Sequence, residues 1–203
     1  MQDSADNIVR ILEYIKGKTL PDSINGLGNS HEDYFYTHFP GLLDDYISMA
    51  EAIQFLHDQG EKHGDIRRDH ILVEKETDRW IWIDFDFNYL HKENIFGYDV
   101  FGLGNILLYL AGRGDITVQD LMRTRSPACD RITKDDLNII FNNRIVNLRK
   151  VFPYIPEALN LILLHFSIGA NIFYEDTRQF LNDLSDARKD LCLKPDKEGQ
   201  NEY

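Results

Sequence analysis

The sequence predicts an α+β fold that is mostly α, with a small β-hairpin near its middle, and three observations carry this. "GLLDDYISMAEAIQFLHDQG" (41–60) has apolar residues at helical spacing and leads into a charged loop, "HGDIRRDH". Two short strand-like runs, "HILVE" and "WIWIDFDF", follow with a polar "KETDR" between them. From residue 98 onward the chain reads as a series of helices punctuated by Gly and Pro. With 203 residues, 43% of them hydrophobic and 12% aromatic, the chain can bury a core of its own.

Taken in order, "NIVRILEYI" (7–15) is β-branched and apolar and predicts a strand that stops at the linker "KGKTLPDS". Residues 22–41, with Gly26, Gly28, Pro40 and Gly41, have a loop-like composition. A helix is predicted over 41–60, where Leu43, Tyr46, Ile47, Ala50, Ile53, Phe55, Leu56 and His57 give approximate helical spacing and Gly60 stands just past the end. In "WIWIDFDF", period two puts Trp80, Trp82, Asp84 and Asp86 on one face. A hairpin of the two runs would bring Asp65 and Asp84 together, because the loop enters one strand and Asp84 leaves the other.

Helices are then predicted over 98–112, over 117–124 with Thr117 and Asp120 as a capping pair, and over 133–152 with Thr133 as N-cap. Two more follow, one after Pro156 and one over 174–191. The end, "KPDKEGQNEY", reads as a loose tail, so the division is a strand and linker over 1–20, the main body over 21–190 and a tail over 191–203.

Lys and Arg number 22 against 34 Asp and Glu, a formal charge of −12, which argues against a broad electrostatic grip on nucleic acid or an anionic membrane. Cys129 and Cys192 form neither a metal-ligand spacing nor a disulfide framework. No apolar run reaches membrane length and no basic-then-apolar leader stands at the start, so a soluble, cytoplasmic protein is expected.

The order strand, linker, long helix, His-x-Asp loop, hairpin carrying Asp-Phe, then apolar helix opening on Asp resembles the C-terminal lobe of the protein-kinase-like superfamily. "HGDIRRDHILV" resembles the catalytic loop, "IDFD" the metal-binding Asp-Phe-Gly, and "YDVFGLGNILLYLAGRG" the central buried helix. "ILEYIKGKTL" resembles the last N-lobe strand and hinge, and "YEDTRQFLNDLSDA" the closing helix. The resemblance implies ATP and Mg²⁺ as cofactors and a protein or small-molecule hydroxyl as acceptor. It implies Asp65 as catalytic base, Arg67 as phosphate partner and Asp84 as metal ligand. Leu72 would lie beneath the adenine, with the backbone of Glu13, Tyr14 and Ile15 at its edge. His63 would pack under Phe85, and Asp99 would brace the loop.

The sequence also departs from that pattern. His70 stands where the family has Asn, an oxygen ligand to the second metal, and Asp86 stands in place of Gly, so His70 and Asp86 join Asp84 as candidate metal residues. Gly64 replaces an Arg, as in the small-molecule phosphotransferases of the superfamily, and no Ala-Pro-Glu follows Asp84. Few residues precede the hinge-like strand, so no Gly-rich phosphate loop or strand lysine is expected here; the chain would be cut from a longer protein, be a natural remnant, or take those parts from a partner chain. The rival reading is a pseudokinase-like binding scaffold without turnover. A helical interaction domain unrelated to kinases would lack the "WIWIDFDF" strand beside the loop.

Overall fold

The computed structural model describes residues 12–86 and 94–191. Its sheet has three antiparallel strands in the order β1 (Gly17–Thr19), β2 (Ile71–Glu74) and β3 (Trp80–Trp82). The expected hairpin is β2–β3, with Leu72 opposite Ile81 and Ile71 opposite Trp82.

The strand expected over 7–15 is corrected. Residues 7–11 lie outside the described ones, 12–15 form no strand, and Tyr14 is exposed. Pairing begins instead at Gly17, inside the stretch expected to be linker, with Gly17 opposite Glu74 and Thr19 opposite Leu72. A side chain at Gly17 would collide with the Val73 carbonyl. The missing side chain that suggested a turn is what lets this backbone approach β2.

Residues 22–41, expected as loop, are largely helical: α1 (Leu20–Ile24) continues into them, α2 (His31–Thr37) lies within them, and α3 (Phe39–Asp58) starts there. Their punctuation marks helix starts. Thr19 and Ser30 accept N-capping bonds from the Asp22 and Asp33 N–H groups, and Pro21 and Pro40 sit in first turns, where a missing N–H costs nothing. In α3 the buried stripe is Phe39, Leu43, Tyr46, Met49, Ala50, Ile53 and His57, at steps of three and four. Phe55 is 64% exposed because it falls off that stripe.

Helix α4 (Gly97–Ala111) runs through the core, burying Val100, Leu103, Ile106, Leu107 and Leu110. Helix α5 (Val118–Thr124) opens on the Thr117–Asp120 capping box; α6 (Glu157–Leu164) follows Pro156, and α7 (Thr177–Asp190) is capped by Asp176. Helix α7 packs on α3, with Phe180 edge-on to Tyr46 and ion pairs Arg178–Asp58 at 2.8 Å and Arg188–Asp44 at 2.7 Å. Each large apolar side chain buried in this core contributes roughly 1.5–3 kcal/mol. The two fully buried tyrosines keep their hydroxyls satisfied, Tyr34 donating to the Leu110 carbonyl and Tyr46 to that of Leu103. Among the described residues no helix is long and apolar enough to cross a membrane.

The helix expected over 133–152 is absent. Thr133 caps a single 3-10 turn, Lys134–Asp136, and isolated bridges join Leu137 to Ile145 and Asn138 to Ser167. Asp136 is buried and accepts from the Thr133 N–H, the Asn147 amide and Lys150 Nζ; the Asn138 side chain accepts from the N–H groups of Ile140 and Phe141. Asp and Asn side chains thus take over hydrogen bonds that a helix would have made within its backbone.

Candidate active site

The charged loop is held from below by Asp99, in the first turn of α4. Its buried carboxylate accepts from the backbone N–H of His63 at 2.7 Å, from that of Gly64 at 2.8 Å, and from His57 Nε2 at 3.1 Å. His57 stacks on Phe96 and reaches Thr177 Oγ1 with its other nitrogen at 3.0 Å, so one imidazole ties the end of α3 to the starts of α4 and α7. On the opposite side, the Asp86 N–H donates to the His63 carbonyl at 2.7 Å.

His63 is fully buried, stacked on Phe85 at 4.2 Å between ring centroids and edge-on to Trp82 at 5.1 Å. Burial lowers its pKa against the opposing pull of Asp99, so this ring is a neutral packing element.

His70 is the residue on which the two expected carboxylates meet. Its Nδ1 lies 2.9 Å from the Asp65 carbonyl, which only accepts, so Nδ1 carries a proton. The same nitrogen is 3.4 Å from Asp65 Oδ2, while Nε2 is 3.9 Å from Asp84 Oδ2. The imidazole is 13% exposed, against 33% for the Asp65 side chain and 69% for that of Asp84. The pairing of β2 with β3, carried one step further by the Ile83 N–H donating to the His70 carbonyl, brings these groups together.

Asp84 adopts a left-handed backbone, φ 57°, which costs a non-glycine residue roughly 1–2 kcal/mol. Strand β3 has already ended at Trp82, so the period-two arithmetic that put Asp84 and Asp86 on one strand face does not hold. Among the described residues no three His, Cys, Asp or Glu side chains converge as a metal-holding group.

Arg67, expected as a phosphate partner, forks onto Asp69 at 2.5 and 3.2 Å. Burial pushes the Asp69 carboxyl up, but this guanidinium, a backbone hydrogen bond and His70 together hold it below its usual range. Leu72 is half-buried in β2. Glu13, Tyr14 and Ile15 precede β1 without strand pairing.

Beside the loop is a cavity of about 430 Å³, lined by residues 65–69, by Tyr98, Gly102, Asn105 and Ile106 of α4, and by Ile140, Phe141 and Arg144. Asp65 belongs to this lining and also touches His70. Arg68 and Asp69, which as a bare sequence suggest only solvent exposure, are both engaged. Arg68 pairs with Asp115 at 2.8 Å and lies over the Tyr109 ring at 4.2 Å. Arg144 reaches the same Asp115 at 3.3 Å and lies over Phe141 at 3.9 Å. No spacing in the sequence links residues 68, 115 and 144, and the expected helix over 133–152 concealed Arg144.

No known protein-family profile matches the sequence, and no curated protein matches it. Solved structures do. The chain is similar to the PknI kinase domain of Mycobacterium tuberculosis, with 13% identity, a TM-score of 0.55, and coverage of 86% of this chain and 64% of that one. A double mutant of the same domain gives a TM-score of 0.58 at 12% identity, covering 87% of this chain and 64% of the other. The fold is therefore kinase-like, and the chain spans about 64% of the length of those domains.

Proposed function

We propose that this chain is the C-terminal-lobe portion of an ATP-dependent phosphotransferase that moves the γ-phosphoryl group to a hydroxyl of a small molecule or protein. The observation that carries the reading is the approach of Asp65 and Asp84 to His70, with Asp65 also lining a cavity, on a kinase-like fold. Phosphoryl transfer asks the protein mainly to position and neutralise. Asp65, bordering the cavity, would orient the acceptor hydroxyl and take its proton. Leu72 and the backbone of Glu13 to Ile15 would serve the adenine, and Arg67 is free to reach phosphate only by leaving Asp69.

The donor set suits Mg²⁺ in part. This ion keeps several waters and takes one or two protein carboxylates, which the exposed carboxylate of Asp84 satisfies. His70 offers nitrogen to a cation that prefers oxygen, so a second protein ligand would come from Asp86. When bound, the ion would neutralise the phosphate charge.

Calorimetric titration with ATP, with and without Mg²⁺, tests the reading against an Asp84→Ala control. Metal-dependent binding that the control loses is the expected result; binding unaffected by both metal and substitution would sink it. His70 in the place of an oxygen donor favours the second reading, a nucleotide-binding scaffold without turnover, for which ATP would bind but no acceptor would be phosphorylated.

A further inference from the structure

We propose that the cavity beside Asp65 is an acceptor site for a small hydroxylated molecule carrying a carboxylate or phosphate, its anionic group seated between Arg68 and Arg144. This rests on the phosphotransferase reading for the identity of the reaction, but anion binding itself does not depend on it.

Three features converge. First, Arg68 and Arg144 both line the cavity, while the single carboxylate they share, Asp115, lies outside the lining. Of the other charged residues in the lining, Arg67 and Asp69 cancel each other and Asp65 offsets one of the two arginines. One positive charge is therefore left facing the cavity in a chain whose formal charge is −12. Second, both guanidiniums are positioned before any ligand arrives, each over an aromatic ring and each partly buried. Arg144 is eased below its usual pKa by burial and by the neighbouring Arg68, against the pull of Asp115, and an anion between the two would relieve that repulsion. Third, the size and lining suit a small molecule. About 430 Å³ lies within the range of small-ligand pockets, and Ile66, Ile106, Ile140 and Phe141 offer apolar surface to a carbon skeleton. Asp65 borders the same space, where it can accept from a hydroxyl.

In the resulting reaction the acceptor oxygen bonds to the γ-phosphorus of ATP. The bond from that phosphorus to the β,γ-bridging oxygen breaks, its electron pair leaves on ADP, and the hydroxyl proton passes to Asp65. A cationic acceptor is the opposite expectation, since it would meet Arg68 and Arg144.

The test uses four probes of one skeleton on the full chain: glucose 6-phosphate, glucuronate, glucose and glucosamine, with binding followed by calorimetry. The two anions should bind saturably and lose affinity with added salt. The tighter of the two would tell whether phosphate or carboxylate is the preferred group. Arg68→Met and Arg144→Met should each weaken the anions about ten- to hundredfold, and Arg144→Lys should weaken them less. Because both arginines are partly buried, circular dichroism melting of each variant accompanies the titration, and Arg68→Met supplies the result if Arg144→Met unfolds. Equal binding of glucose or glucosamine, no saturable binding of either anion, or anion binding unchanged in the Arg68 and Arg144→Lys variants would each overturn the proposal. Anion binding retained in a chain that never binds Mg²⁺–ATP would instead remove the phosphotransferase reading and leave the anion site standing.

Discussion

Gly64 and Asp86 are packed backbone to backbone: Gly64 has φ 82°, and a Cβ at that position would strike the Asp86 carbonyl. This contact, beside the Asp86 N–H to His63 bond, docks the segment after β3 onto the charged loop. It also gives the physical reason why an Arg is not accommodated at residue 64. Gly64→Ala should destabilise the fold by about 1–3 kcal/mol through left-handed strain and overpacking. A urea midpoint equal to that of the parent chain would show that the segment can move aside without cost.

Asp99→Ala leaves two buried N–H donors, of His63 and Gly64, without an acceptor, and takes from His57 its carboxylate partner. The expected loss is about 3 kcal/mol or more. Thermal melting checks it, and a change under about 1 kcal/mol would mean that water or another group takes over the bracing.

Asp65→Asn should abolish phosphoryl transfer while sparing nucleotide binding, and Asp84→Asn should weaken Mg²⁺-dependent binding. Circular dichroism and calorimetry on both variants separate these outcomes from equal loss of fold, which would mark the two carboxylates as structural.

His70→Asn puts an amide oxygen where the imidazole stands, within reach of a cation held by Asp84. If the site works as a phosphate site, Mg²⁺-dependent ATP affinity should rise several-fold. Unchanged affinity in a folded variant speaks for the scaffold.

His31 donates from Nε2 to the Ala111 carbonyl at 2.9 Å, accepts at Nδ1 from the Tyr154 hydroxyl at 2.6 Å, and stacks on Phe152. Burial, aided by Arg113 and opposed by the Ala111 bond, lowers its pKa to about 4 from the model-peptide 6.5. Below 6.5 the unfolded chain binds this proton and the folded one does not. The contribution is therefore full above pH 6.5, falls as pH drops, and is lost by about pH 4. Stability of the parent should decline across that window more steeply than that of His31→Gln, measured by denaturant midpoints at successive pH values; parallel curves would sink the assignment.

The sequence by itself determined the elements whose signals are local. Period two in "WIWI", the three-four stripe of α3, the Thr117–Asp120 box and the final amphipathic helix each depend on side chains near in sequence, and the folded chain has all four. The ordered motifs were enough to point to a kinase-like fold, because that order is a property of the chain. Where pairing partners are distant, the sequence misled. Gly17 looks like a turn until Val73 lies against it, and 133–152 looks helical until Asp136 gathers Thr133, Asn147 and Lys150 around itself. The site divides in the same way. Asp65, His70 and Asp84 are legible because a hairpin joins them, whereas Arg68, Asp115 and Arg144 meet only through tertiary packing. A cavity's charge is set by which groups converge in space, and composition, at −12, gave no hint of a local surplus of the opposite sign.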